Sequence, residues 1–176
     1  LRTAALRGAR VRGSGIVSPY WTRQRDSDLR KFWKGVDHLS GAISTMQHKV
    51  INTTFKVVAR DTNIARHNEL TPRLQEQLDT LSNLGRDGGL VGFLSKFTED
   101  FIATDNGAFA EIIGDGKKDG PIKGAPLAIN TLDSVRCIRT GDPIYPVLYH
   151  SVDGNLYKLH YTRVMYTSWS PSPRAE

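Results

Sequence analysis

The spacing of apolar residues changes near position 105, and the chain divides there into a helical half and a strand half. Leu29, Phe32, Trp33, Val36, Leu39, Ile43 and Met46 recur at intervals of three and four, which predicts one amphipathic helix of about six turns, opened by Asp26 or Ser27 as its cap. At about 1.5 Å per residue such a helix is roughly 30 Å long. Its broad, aromatic stripe is expected to face the core, with Trp33 also a candidate for a subunit contact. Leu74, Leu78 and Leu81 follow Pro72 in a second helical pattern, with the proline at a permitted first-turn position. Leu90, Phe93, Leu94, Phe97, Phe101 and Ile102 mark a third helix, from about Leu90 to Thr104. Between the first two lies "TTFKVVARD", where Phe55, Val57 and Ala59 alternate with Lys56, Val58 and Arg60 and predict a half-buried strand. The glycines of "LGRDGG" read as a link between helices, since they lack the lysine and hydroxyl of a phosphate-cradling loop.

Beyond Asp105, Asn106 and Gly107 the period becomes two. Ala108 to Ile113 reads as a strand, "GDGKKDGP" as a charged, glycine-rich turn. Further strands are expected at Ala125 to Ile129, Val135 to Arg139, Tyr145 to His150, Leu156 to Tyr161 and Val164 to Trp169. Asp153-Gly154 is a strong hairpin signal between two of them. The switch from helix to strand within about three residues requires a positive φ at Asn106 or Gly107, the two residues there that adopt it cheaply. Asp105 and Asn106, polar and at a helix end, are read as backbone caps rather than catalytic groups. The expected fold is α+β, with N-terminal helices packed on a mainly antiparallel, meandering sheet.

Composition adds an asymmetry. The chain has 176 residues, 39% of them apolar, enough for one domain with a core. Of its 24 lysines and arginines, Arg2, Arg7, Arg10, Arg12, Arg23 and Arg25 fall in residues 1–25, which hold no acid; the other 18 balance the 18 acids of the body. The formal charge of +6 therefore belongs to an arm whose "RGARVRGSGIVSP" composition predicts mobility. Residues 1–25 are read as a basic arm and residues 26–176 as the folded body. The six arginines are candidate phosphate contacts; a solvated tail or an Arg-rich targeting leader are the alternatives. No window approaches the roughly 20 apolar residues of a membrane span, and no signal-peptide core follows the arginines, so a soluble protein is expected. The opening Leu1 and the turn-like "SPSPRAE" before the end suggest a piece of a longer chain.

Catalytic patterns are not evident. His38, His48, His67, His150 and His160 form no metal-binding pair, and His38 and His48 stand ten apart, too far to share an ion on one helix. Walker, dinucleotide and nucleophile-elbow motifs are missing, and "DGKKDG" places lysines where a calcium loop needs oxygens. The lone Cys137 excludes an internal disulfide and reads as a small buried residue on a strand. Asn52-Thr53-Thr54 matches a glycosylation triplet, with nothing else to suggest secretion. No metal, cofactor or enzymatic activity is expected.

Three segments carry a resemblance: "GFLSKFTEDFIATDNGAFAEIIGDG", "APLAINTLDSVRCI" and "YPVLYHSVDGNLYKLHYTRVMYTSW". Together with "LRKFWKGVDHLSGAISTM" they make residues 26 to 176 similar to the portal proteins of tailed bacteriophages and prophages. In that family a helix ends in a glycine-asparagine turn and a strand of the "AFAEII" type follows. A stretch with leucine and aspartate comes next, then a hairpin and a final strand; "TLDSVRCI" and "RVMYTSW" stand in the last positions. The turn departs from the family order, having Asn106 before Gly107, and the stem helices and clip of a portal are missing from the chain. The resemblance implies a wing-like part of a structural ring of about twelve subunits at a capsid vertex, closed by heterologous contacts. Double-stranded DNA passes through such a ring, which meets the major capsid protein, a head-tail adaptor and an ATP-driven terminase. Its location is then the virion, and the host cytoplasm during assembly. The alternative from the residues alone is a small basic nucleic-acid-binding module that uses the arginine arm and sheet aromatics.

Overall fold

The computed structural model describes residues 23–53, 64–83 and 88–168. The strand expected over Phe55, Val57 and Ala59, the residues 84–87 of the glycine link, and Trp169 lie outside them. Four helices come first: α1 (Arg23–Gly35), α2 (Asp37–Ile51), α3 (Ile64–Asn83) and α4 (Gly89–Ala103). Six strands follow: β1 (Ala108–Asp115), β2 (Lys123–Leu132), β3 (Cys137–Arg139), β4 (Val147–His150), β5 (Leu156–Leu159) and β6 (Val164–Thr167). The α+β class and the order of helices before strands are as expected.

The expected six-turn helix is two helices. Val36 is extended, with φ −115° and ψ 105°, and α2 restarts at Asp37. Gly35 leaves a helix at low cost, and Asp37 places a carboxylate in the first turn of α2, where the helix dipole favours it. The apolar spacing runs across the break, so period alone does not reveal it. The bend turns Trp33 of α1 and Ile43 of α2 into one cluster with Ala103 and Ile102 of α4, so Trp33 is a core residue here. The helix also begins before the expected cap: Asp26 sits inside the first turn of α1, and Arg23 and Arg25 of the expected arm are helical.

The strands form two antiparallel three-stranded sheets instead of one meander, in the orders β2-β1-β6 and β3-β4-β5. β1 is the centre of the first, pairing Phe109 with both Leu132 of β2 and Tyr166 of β6. Its alternation sorts two interfaces. Ala108 and Ala110, fully buried, belong to the face toward α4, where small side chains let a helix approach; Phe109 belongs to the face toward the second sheet. There Phe109, Leu132 and Val164 pack with Cys137, Val147 and Leu159, and Tyr149 joins them. The helices, first sheet and second sheet thus stack as layers about two small cores. β2 is an edge strand, and Pro126 falls where its register with β1 shifts between Ile113 and Asp115, a position that needs no ladder donor.

Two expected strands begin or end in short 3-10 turns. Ser134–Arg136 is such a turn because Asp133 Oδ1 accepts from the Val135 N–H (3.1 Å), so the strand starts at Cys137. Tyr161–Arg163 is the second: His160 Nδ1 accepts from the Thr162 N–H (3.3 Å) and stops β5 at Leu159. In both a side chain competes locally with the β-ladder. Both also read leucine, cap, two residues and arginine, Leu132 to Arg136 and Leu159 to Arg163. The β4–β5 hairpin has Gly154 at φ 84°, as its Asp-Gly signal requires.

Candidate functional site

The segment Thr104–Gly107 joins the layers, and its residues reach α1, the turn at Ser134, the second sheet and β6. Thr104 leaves α4 in an extended conformation, its hydroxyl donating to the Asp100 carbonyl (2.7 Å) and accepting from the Ser134 hydroxyl (3.1 Å). Gly107 donates its N–H to the Thr104 carbonyl (3.2 Å) at φ 81°. The positive φ expected at Asn106 or Gly107 thus falls on the glycine. A Cβ there would collide with the Thr167 carbonyl and come within 2.8 Å of Ser168 Cα. Glycine is required for both conformation and space.

Asn106 is 1% exposed and faces the second sheet. Its Nδ2 donates to the carbonyls of Ser134 (2.9 Å) and Cys137 (3.0 Å), and its backbone carbonyl accepts from Arg139 Nη2 (2.6 Å). The Arg139 guanidinium also lies over the rings of Phe109 and Tyr166, at 5.6 and 5.2 Å, bringing a cation onto two aromatic faces at the junction of the sheets. Asp105 faces α1: its carboxylate pairs with Arg25 Nε at 2.6 Å and its N–H donates to Asp26 Oδ1 at 3.0 Å. Asp26, expected to cap its own helix, instead receives the turn.

A second bridge lies alongside. Arg30 of α1 reaches Asp100 of α4 through Nη2 (2.6 Å) and Asp133 through Nη1 (2.7 Å), and Asp100 Oδ2 also accepts from the Ser134 N–H (3.2 Å). Arg136 Nε stands 3.3 Å from the other Asp133 oxygen. Burial pushes Asp26 up to about 6, aided by the Asp105 charge and opposed by the N–H groups of Asp105 and Asn106. Burial likewise raises Asp100 to about 6 against the attraction of Arg30. Burial lifts the Cys137 thiol well above its usual range, as befits a buried strand residue without reactivity.

A parallel clamp closes the far end of β1. Arg163, 5% exposed, donates to the carbonyls of Gly120 (2.7 Å), Gly114 (3.2 Å) and Asp115 (3.0 Å), while Thr162 Oγ1 accepts from the Ile122 N–H (3.1 Å). The "GDGKKDGP" turn is thereby locked at its root, with Lys117 and Lys118 exposed at its tip.

The structure brings together Asp105, Asn106 and Gly107, expected as a structural turn, with Arg25, expected as a phosphate contact and here paired with Asp105. Arg23 is half-buried in the first turn of α1. Arg2, Arg7, Arg10 and Arg12 lie outside the described residues. The sequence marks Asp26 only as a cap, and it carries no signal for Arg30, Asp100, Asp133, Ser134 or Arg139 beyond the repeated cap-x-x-Arg pattern that ends at Arg136 and Arg163. Among the described residues no three His, Cys, Asp or Glu side chains are placed to hold a metal ion, and no helix is long and apolar enough to cross a membrane.

This geometry defines a class: an α+β body whose polar site is a joint between helices and sheets, with its charged groups bonded to one another and to backbone. As to relatives, no protein-family profile, curated protein or solved structure matches the chain.

Proposed function

We propose that the chain is the wing-like body of a portal subunit of a tailed bacteriophage or prophage. The observation that carries this reading is the order of elements about the joint. Helix α4 ends in a Gly107 turn, β1 is "AFAEII", β2 leads into the Asp133-capped turn, and a hairpin on Asp153-Gly154 returns the chain to β6 beside β1. Each falls on a segment that resembles the portal pattern. A joint of this kind suits a ring subunit, because a heterologous ring closes only when the rotation per subunit is right, and a body with fixed internal angles keeps that rotation constant.

In this role the protein is structural and hydrolyses nothing. About twelve copies surround a channel for double-stranded DNA at one capsid vertex, between the major capsid protein and a head-tail adaptor, and an ATP-driven terminase docks during packaging. In this reading Arg2, Arg7, Arg10 and Arg12 meet DNA phosphates. Negative-stain microscopy and sedimentation test it. Residues 1–176 by themselves are expected to be monomeric or weakly associating, and a portal subunit that carries them together with stem helices to form closed rings of about twelve. Such a subunit that stays monomeric in every salt condition, with residues 1–176 binding oligonucleotides tightly and with steep salt dependence, would overturn the portal reading in favour of a nucleic-acid-binding module.

A further inference from the structure

The first turns of α1 rest on the joint through Asp26, a carboxylate with no exposed surface. Oδ1 accepts the Asp105 N–H, while Oδ2 is buried and has no hydrogen-bond partner among the described residues. An ionised carboxylate offers about four acceptor positions, and the Asp105 and Asn106 N–H groups, the backbone donors that favour it, leave part of that capacity unused. The charged neighbours do not compensate. From the turn, the Asp105 carboxylate repels it and is itself held by Arg25. From its own helix, Arg30 attracts it, yet both terminal nitrogens of Arg30 are engaged by Asp100 of α4 and Asp133 before the 3-10 turn.

We propose that Asp26 makes the seating of α1 on the joint proton-dependent: protonated, it is a neutral group in a dry niche and α1 is seated; ionised, it draws the first turns of α1 away from residues 104–107 toward water. The burial that raises Asp26 from 3.8 to about 6 sets the direction. The seated state binds a proton that the lifted state releases, so the stabilisation is fully present below about pH 4 and is lost as pH rises through about 6. Because each whole pH step between those two values weakens seating about tenfold, the limit is on the order of a hundredfold in the seating equilibrium, of which about tenfold falls between pH 5 and 7.5. Asp100 titrates in the same window but is bound to Arg30 and the Ser134 N–H, so a variant must separate the two.

Amide hydrogen exchange on the 176-residue chain tests this, by comparing protection of residues 23–35 with that of residues 108–115 at pH 5 and 7.5 after correction for intrinsic rates. The expected result is a fall of about tenfold in the α1-to-β1 ratio at the higher pH, abolished in Asp26→Asn. A ratio that is constant in the wild type, or an equal fall in Asp26→Asn, overturns the proposal; the latter assigns the effect to Asp100. If the variant does not fold, a carboxyl-carbon NMR titration of Asp26 in the wild-type chain decides, with a midpoint near 6 in support and one near 4 against.

Discussion

The contact between the two sheets and the joint between helices and sheet are held by opposite means. Between the sheets, Phe109, Leu132, Cys137, Val147, Leu159 and Val164 pack as an apolar cluster, with the Arg139 guanidinium covering the Phe109 ring. At the joint, Asp26, Asn106 and Ser134 are as deeply buried, but what orders them is hydrogen bonds to groups 28 to 79 positions away in sequence. Apolar contact is non-directional and tolerates small shifts; a donor aimed at a carbonyl does not. The difference teaches where the molecule stores its stability and where it stores its angles: the apolar layer supplies the first, the polar joint the second.

The contrast breaks first if the apolar layer turns out not to dominate. Phe109→Ala removes a ring that is 1% exposed, stacked on Tyr166 and covered by Arg139, and should cost about 4 kcal/mol, read as a lowered midpoint in urea unfolding. A loss below about 1 kcal/mol would mean that the sheets are not held together as described.

Gly107→Ala should come next, at about 3 kcal/mol, since positive φ strains any side chain and the added Cβ meets the Thr167 carbonyl, so that β6 must shift at its pairing with Ala108. Gly154→Ala is the control. Gly154 has nearly the same φ but nothing within 4 Å of an added Cβ, so its cost should be about 1 kcal/mol by the same measurement. Equal losses at the two glycines would show that the joint imposes no packing constraint.

How much of this could be read from sequence follows the same division. The strands Ala108–Asp115 and Leu156–Leu159, the helix Gly89–Ala103 and the hairpin at Asp153-Gly154 declare themselves because their causes are local: a period, a turn dipeptide, a glycine. The break at Val36 is hidden because the apolar spacing continues through it. The 3-10 turns at Ser134–Arg136 and Tyr161–Arg163 are hidden because β-branched and aromatic residues mask the caps Asp133 and His160. Asp105, Asn106 and Gly107 are legible as a turn, but their partners are not. Nothing in a run of 176 letters links Arg30 to Asp100 and Asp133, since ion pairs across 70 and 103 residues have no period.

Within the joint, the same helix pair offers a partly buried and an exposed link, which sharpens the comparison. Arg30→Ala strips Asp100 of its cation and leaves that carboxylate, 13% exposed, facing one backbone N–H. The expected loss is about 2 kcal/mol, the range of charge-assisted hydrogen bonds. Lys34 and Glu99 also join α1 to α4, at 3.1 Å, but the lysine side chain is 59% exposed. Water and salt screen such a pair, and ordering two long side chains offsets much of the attraction. Lys34→Ala should therefore cost at most about 0.5 kcal/mol, and raising the salt concentration should shrink even that. If urea unfolding found Lys34→Ala as damaging as Arg30→Ala, burial would not be what gives the joint its strength, and the lysine's stem over the Trp33 ring, 5.2 Å from its ammonium, would be the contact to examine next.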